Sequence, residues 1–249
     1  PLANGDTLTF DEGANTNFDV GMTAAAGISS LATVRVTSGC KDNIGKANDP
    51  FKVDVSGTLI YEGGGDYSHW AGGTGGTIAA IICNPSNPNH QMNLSSGTFP
   101  SIKVLAGTVI IGGSAVLADI EVIGAATIVV PEDATDVLNN IRVAAGGRAI
   151  VKRRINGTGN VDQGGTLENN VDSTTASGTI NLNGGTLVHL KGSLVVNGYS
   201  GVYDWHRLEK GGAYTLTLTE YEALTEKTGP VLPSGTITRT LVGKGSRKV

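Results

Sequence analysis

The sequence predicts an all-β fold: a single-stranded parallel β-helix, a solenoid of about 20 residues per coil. Three observations carry that expectation. The first is a repeated phrase of two aliphatic residues flanking a polar one, read in Ile102-Lys103-Val104, Ile120-Glu121-Val122, Ile141-Arg142-Val143 and Ile180-Asn181-Leu182, and in Val161-Asp162-Gln163 with a polar residue in the last place. Its copies begin 18, 21, 20 and 19 residues apart. The second is composition: 37 glycines with only 5% aromatic and 16% charged residues, alongside plentiful Val, Ile and Leu, which suits short strands joined by tight turns. The third is the segment from Thr179 to Val196, where three strand-like pieces are punctuated by Asn183-Gly184-Gly185 and Lys191-Gly192, giving the three faces of a triangular coil.

Taken along the chain, residues 1–33 read as an N-terminal cap or arm, because a coil start exposes an apolar interior and unpaired strand edges. Within it Thr7-Leu8-Thr9-Phe10 alternates like a strand. Residues 34–198 read as the β-helix, with Val34-Arg35-Val36 and Val53-Asp54-Val55 as earlier copies of the phrase, and with room for about eight or nine coils. Over about 61–100 the pattern opens into polar loops, among them Glu62-Gly63-Gly64-Gly65-Asp66 and Asn84-Pro85-Ser86-Asn87-Pro88-Asn89. Such loops are where a recognition face could be built, or they merely tolerate insertion. Residues 199–249 read as a C-terminal extension. Thr219-Glu220-Tyr221-Glu222 has the form of a capping box and Lys227, Gly229 and Pro230 form a stop, so a short helix is expected over 220–227, followed by a basic tail.

A net charge of −4 and a pI near 5.5 provide no basic field, so no nucleic-acid partner is expected. No run approaches the roughly 20 apolar residues of a membrane span, and no membrane partner is expected. The segment Pro1 to Asp6 lacks the regions of a signal peptide, and a leading proline is what removal of an initiator methionine leaves, so synthesis in the cytoplasm is expected. Cys40 and Cys83 stand alone, without a CxxC or paired-histidine spacing, so neither a metal nor a cofactor is expected. Their pairing stays open, although cytoplasmic synthesis favours free thiols. His69, His90, His189 and His206 occur singly in different segments.

Superimposing the phrases places Arg35, Asp54, Lys103, Glu121, Arg142, Asp162 and Asn181 in one outward column. Neighbouring coils lie about 4.8 Å apart, so Lys103, Glu121, Arg142 and Asp162 form a structural charge ladder of alternating sign. The rival reading is a glycan-cleaving site built on Glu121, Asp162 and Glu168 beside Lys152, Arg153 and Arg154. Nothing in the sequence singles out a carboxylate pair, and aromatics for sugar stacking are nearly absent between 100 and 198; no enzyme is expected.

The coil phrases from Ile102 to Val196, the opening Gly5 to Phe10 and the segment from Asn43 to Val55 together resemble structural β-helix proteins of tailed bacteriophages. The resemblance covers most of the chain. It implies a virion structural protein, made in the host cytoplasm and carried on the capsid surface, foremost a decoration or cement protein that binds the major capsid protein and stabilises the head. The alternatives are a tail spike or fibre component, a glycan-binding adhesin and, behind these, a polysaccharide-degrading enzyme. Closed symmetry on a shell three-fold or spike axis implies a homotrimer. Partner contacts are expected from Tyr203, Trp205 and Arg207, residue types enriched at interface anchors, and from Lys244, Arg247 and Lys248 of the basic tail.

Overall fold

The computed structural model describes residues 3–11, 30–73, 76–132, 138–171, 178–191, 193–204, 214–219, 223–227 and 237–242. The expected class is what it shows: an all-β parallel β-solenoid of about 7 turns, roughly 21 residues apart, with no helix among the described residues. The turns are fewer than the eight or nine expected because several are long. Val34, Leu59, Ile81 and Ile102, for example, stack at steps of 25, 22 and 21 residues. The chain divides into two units: residues 1–121 with 125–131, and residues 122–124 with 132–249.

The first unit holds β1 (Thr7–Phe10), β2 (Leu31–Val36), β3 (Phe51–Lys52), β4 (Val55–Tyr61), β5 (Tyr67–Ala71), β6 (Ile78–Cys83), β7 (Gln91–Val104), most of β8 (Gly107–Ile123) and β9 (Ala126–Val130). Strand residues alternate faces, so every second side chain enters the interior. One interior column runs Phe10, Val36, Tyr61, Cys83, Val104, and its neighbour runs Val34, Leu59, Ile81, Ile102; all nine are buried. β1 pairs in parallel with β2, so Thr7–Phe10, within the segment read as a cap, forms a strand of the coil. Phe10, Phe51 and Trp70 meet edge-to-face, with ring centroids 5.2 to 6.3 Å apart, and fill the interior of these first turns.

Here the phrase alignment needs correction. Val34-Arg35-Val36 stacks on Leu59-Ile60-Tyr61, and Val53-Asp54-Val55 is no copy of it. Asp54 instead ties a loop, its Oδ1 accepting from the backbone N–H of Gly73 at 3.0 Å and of Thr77 at 2.9 Å. Arg35 pairs with Glu62, Nη2 to Oε2 at 2.8 Å.

The second unit holds β10 (Asn140–Ala144), β11 (Arg148–Val151), β12 (Thr158–Asp162), β13 (Thr166–Asn170), β14 (Thr179–Lys191), β15 (Ser193–Asp204), β16 (Tyr214–Thr219), β17 (Ala223–Lys227) and β18 (Ile237–Val242). Ile141, Gly159, Ile180 and Val196 form one inward column, and Val143, Val161 and Leu182 the next. Gly159 is where the column narrows: a Cβ there would lie 2.6 Å from Ile180 Cδ1, so two isoleucines of the flanking turns share the space of the missing side chain. Val161 therefore stacks on Val143, two places from the alignment with Ile141 that the repeated phrase suggests. A slip of two residues keeps every apolar side chain inward, so alternation alone does not detect it.

The C-terminal segment also differs from expectation. Ala223–Lys227 is strand β17, paired in parallel with Ser200–Asp204, where the capping box predicts the helix over 220–227. Thr219 ends strand β16, and the rest of that box lies outside the described residues. A capping box stabilises only local turns, whereas the preceding turns offer a complete ladder of backbone partners, and the ladder prevails. β16 and β18 pair in the same parallel sense, so the repeat continues past Gly198.

Candidate functional site

Three successive turns of the first unit send out their loops at the same corner, after Val36, Tyr61 and Cys83. The loops stack because their backbones bond to one another: Gly64 N–H donates to Cys40 O at 2.9 Å, Gly65 N–H to Asp42 O at 2.7 Å, and Gln91 N–H to Asp66 O at 3.0 Å. Together they enclose a cleft of about 400 Å³ lined by Lys41 and Asn43 of the first loop, Gly64, Gly65 and Asp66 of the second, and Ser86, Asn87 and His90 of the third.

The second loop is shaped by glycine at two points of close approach. Gly64 has φ +93°, and a Cβ on it would come within 2.6 Å of the Tyr61 hydroxyl; one on Gly65 would come within 2.1 Å of Asn43 Oδ1. Beneath the loop the Tyr61 hydroxyl is hydrogen-bonded to Ser68 Oγ at 2.9 Å, and burial pushes the phenol well above its usual range. Asn43 Oδ1 accepts from Tyr67 N–H at 3.1 Å, which leaves its amide nitrogen as the donor end. Asn87 is held likewise, its Oδ1 accepting from Asn89 N–H at 3.1 Å. The register of β5 and β7 pairs Tyr67 with Gln91, so Asp66 sits one turn before His90. His90 Nδ1 is buried and has no hydrogen-bond partner among the described residues. Beside the cleft, Tyr67 is 55% exposed.

Two contacts of the ladder are these. Lys103 Nζ lies 2.7 Å from Glu121 Oε2 in the first unit, and Arg142 Nε lies 2.8 Å from Asp162 Oδ2 in the second. Arg142 faces Asn160 in register and reaches Asp162 diagonally. Asn181 stacks on Asn160, donating from Nδ2 to its Oδ1 at 2.9 Å, and Asn183 donates to Asp162 Oδ1 at 3.2 Å. Glu168, the third carboxylate of the cleavage reading, is held by Arg148 at 3.0 Å, and Arg153 is fully buried, off any lateral face. His189, on β14, is also buried and stacks on Asn169 inside the coil.

Tyr203 belongs to β15, in register with Leu187 and Glu226. Trp205, Arg207, Lys244, Arg247 and Lys248 lie outside the described residues. Cys40 and Cys83 are free and buried. Among the described residues no three His, Cys, Asp or Glu side chains gather as a metal site, and no helix is long and apolar enough to cross a membrane.

The sequence points to the 61–100 loops but misses Lys41 and Asn43. Their signal is the apolar triplet Val34-Arg35-Val36 that precedes them: once it is aligned with Leu59 to Tyr61 and Ile81 to Cys83, the loops following all three fall at one corner. No known protein family, curated protein or solved structure matches this chain.

Proposed function

We propose that this chain is a virion structural protein, a decoration protein that binds the major capsid protein as a homotrimer and stabilises the head surface. One observation carries the structural part of this reading over glycan cleavage: the three carboxylates that would have to act as acid, base or nucleophile are each engaged by a basic side chain, Glu121 by Lys103, Asp162 by Arg142 and Glu168 by Arg148, at 2.7 to 3.0 Å. A carboxylate held in such a pair on the sheet face is not free to meet a glycosidic bond unless the pair is first broken. The assignment to a virion head rests on the resemblance of the coil phrases. Contacts made by each copy on a lattice of identical sites add through multivalency and favour the assembled shell.

The test is to locate a labelled copy in purified particles by mass spectrometry and particle reconstruction, with native mass spectrometry of the free protein. The expected result is trimeric density on the head. Absence from particles, or density confined to the tail, overturns the decoration reading.

A further inference from the structure

We propose that the cleft between Lys41, Asn43, Asp66, Ser86, Asn87 and His90, with Tyr67 beside it, binds a short saccharide. The inference does not depend on the virion reading and stands on a contrast within the first unit. On the sheet faces, charged side chains neutralise one another, as in Arg35 with Glu62 and Lys103 with Glu121. In the cleft they do not. The Asp66 carboxylate has no hydrogen-bond or ion-pair partner among the described residues, and Lys41 Nζ bonds only a backbone carbonyl, Ser38 O, at 2.7 Å. His90, which lines the cleft, has no hydrogen-bond partner for its buried Nδ1 among the described residues.

The chemistry of the lining selects the ligand class. Donors (Lys41 Nζ and the amide nitrogens of Asn43 and Asn87) alternate with an acceptor, the Asp66 carboxylate, and with the Ser86 hydroxyl and His90 imidazole, which can do either. A polyol matches such a mixture, because each hydroxyl both donates and accepts. A hard divalent cation takes about six to eight oxygens, commonly from several carboxylates, and among the described residues Asp66 is the only carboxylate lining the cleft. A free phosphate would face that same carboxylate. The volume falls at the lower end of the roughly 300–1,000 Å³ usual for small-molecule pockets, which suits a short oligosaccharide. Tyr67 adds an exposed amphipathic ring directly after Asp66, its amide fixed by Asn43, as a platform for the apolar face of a sugar ring.

The experiment applies the full chain to an array of immobilised neutral, amino and acidic oligosaccharides, followed by calorimetric titration with the oligosaccharides retained. Tyr67→Ala and Asp66→Asn are tested alongside, both being outside the buried core. The expected result is retention of a subset of oligosaccharides, bound at least about tenfold more weakly by Asp66→Asn, the loss expected for one hydrogen bond to a charged group, and about two- to tenfold more weakly by Tyr67→Ala, which removes the ring platform. Thermal midpoints of the variants should match the parent. Three outcomes overturn the proposal: no oligosaccharide retained, equal affinity in parent and variants, or calcium or inorganic phosphate saturating the cleft in NMR titrations while the sugars leave it unchanged.

Discussion

Arg142 bonds Asp162 at 2.8 Å although the residue facing Arg142 in the next turn is Asn160. The same diagonal recurs: Arg35 faces Ile60 and bonds Glu62, and Arg148 faces Thr166 and bonds Glu168. Each arginine reaches the carboxylate two places farther along the following turn. With strands about 4.8 Å apart and a rise of about 3.3 Å per residue, that step is roughly 8 Å between Cα atoms, a span a long guanidinium side chain covers. The facing place is then left to another side chain, and at Asn160 it carries the amide bond to Asn181.

The Arg142–Asp162 pair should couple weakly. Arg142 is half exposed and Asp162 about a quarter, so a double-mutant cycle of Arg142→Ala and Asp162→Ala is expected to yield about 0.2–1 kcal/mol. At about 1 M salt, where the Debye length falls to about 3 Å, the coupling should approach zero. Denaturant titrations at two salt concentrations measure both. A coupling that persists in high salt shows that the pair acts through geometry instead of charge.

Val143 is fully buried between turns, stacked on Val161. Val143→Asp places an uncompensated carboxylate there and should cost more than about 3 kcal/mol, a large share of the roughly 5–15 kcal/mol of an ordinary domain, and lower the melting midpoint accordingly. Val143→Ile, which keeps the apolar surface, should cost about 1–3 kcal/mol at most. Circular-dichroism melts of the two separate charge burial from volume.

How much of this is legible without coordinates follows from what alternation encodes. The inward positions of Ile102, Ile120, Ile141, Val161 and Ile180 are readable because each is apolar beside a polar neighbour, and all five are buried. The register between turns is not readable to better than two residues, because Gly159 and Val161 both face inward and only the space beside Ile180 decides which meets Ile141. The strand at Ala223–Lys227 is hidden because its partner, Ser200–Asp204, lies 23 residues away and a local capping pattern reads as helix. The cleft is hidden for a similar reason: Asn43, Asp66 and His90 come from three loops, and only the register of their turns gathers them.

Gly165 tests the close packing of stacked turns. A Cβ there would lie 2.3 Å from the Val143 carbonyl oxygen and 2.5 Å from its carbon, backbone atoms that cannot turn aside. Gly165→Ala should therefore destabilise by about 1–3 kcal/mol, against the usual small gain from replacing glycine where space allows. A melt unchanged from the parent would show that the turn moves outward freely.

Cys83 supplies a pH dependence. Burial in the column between Tyr61 and Val104 pushes its thiol up to about 12, from the model-peptide value of 9.0. The native state thus holds a proton that the unfolded chain releases above about pH 9, and the unfolded state binds fewer protons between about pH 9 and 12. Stability contributed by the neutral thiol is complete below pH 9 and falls as pH rises toward 12. Tyr61, also raised by burial, acts in the same direction above its own usual value of 10.0. Urea titrations at pH 8, 9, 10 and 11 should give a declining unfolding free energy, and Cys83→Ala should flatten the first part of the decline. The same burial slows thiol chemistry, since the thiolate is the reacting species. A disulfide reagent at pH 8 should label Cys83 at the rate of local opening, increasing with urea, and labelling as fast as a free peptide thiol in the absence of urea would place the side chain at the surface.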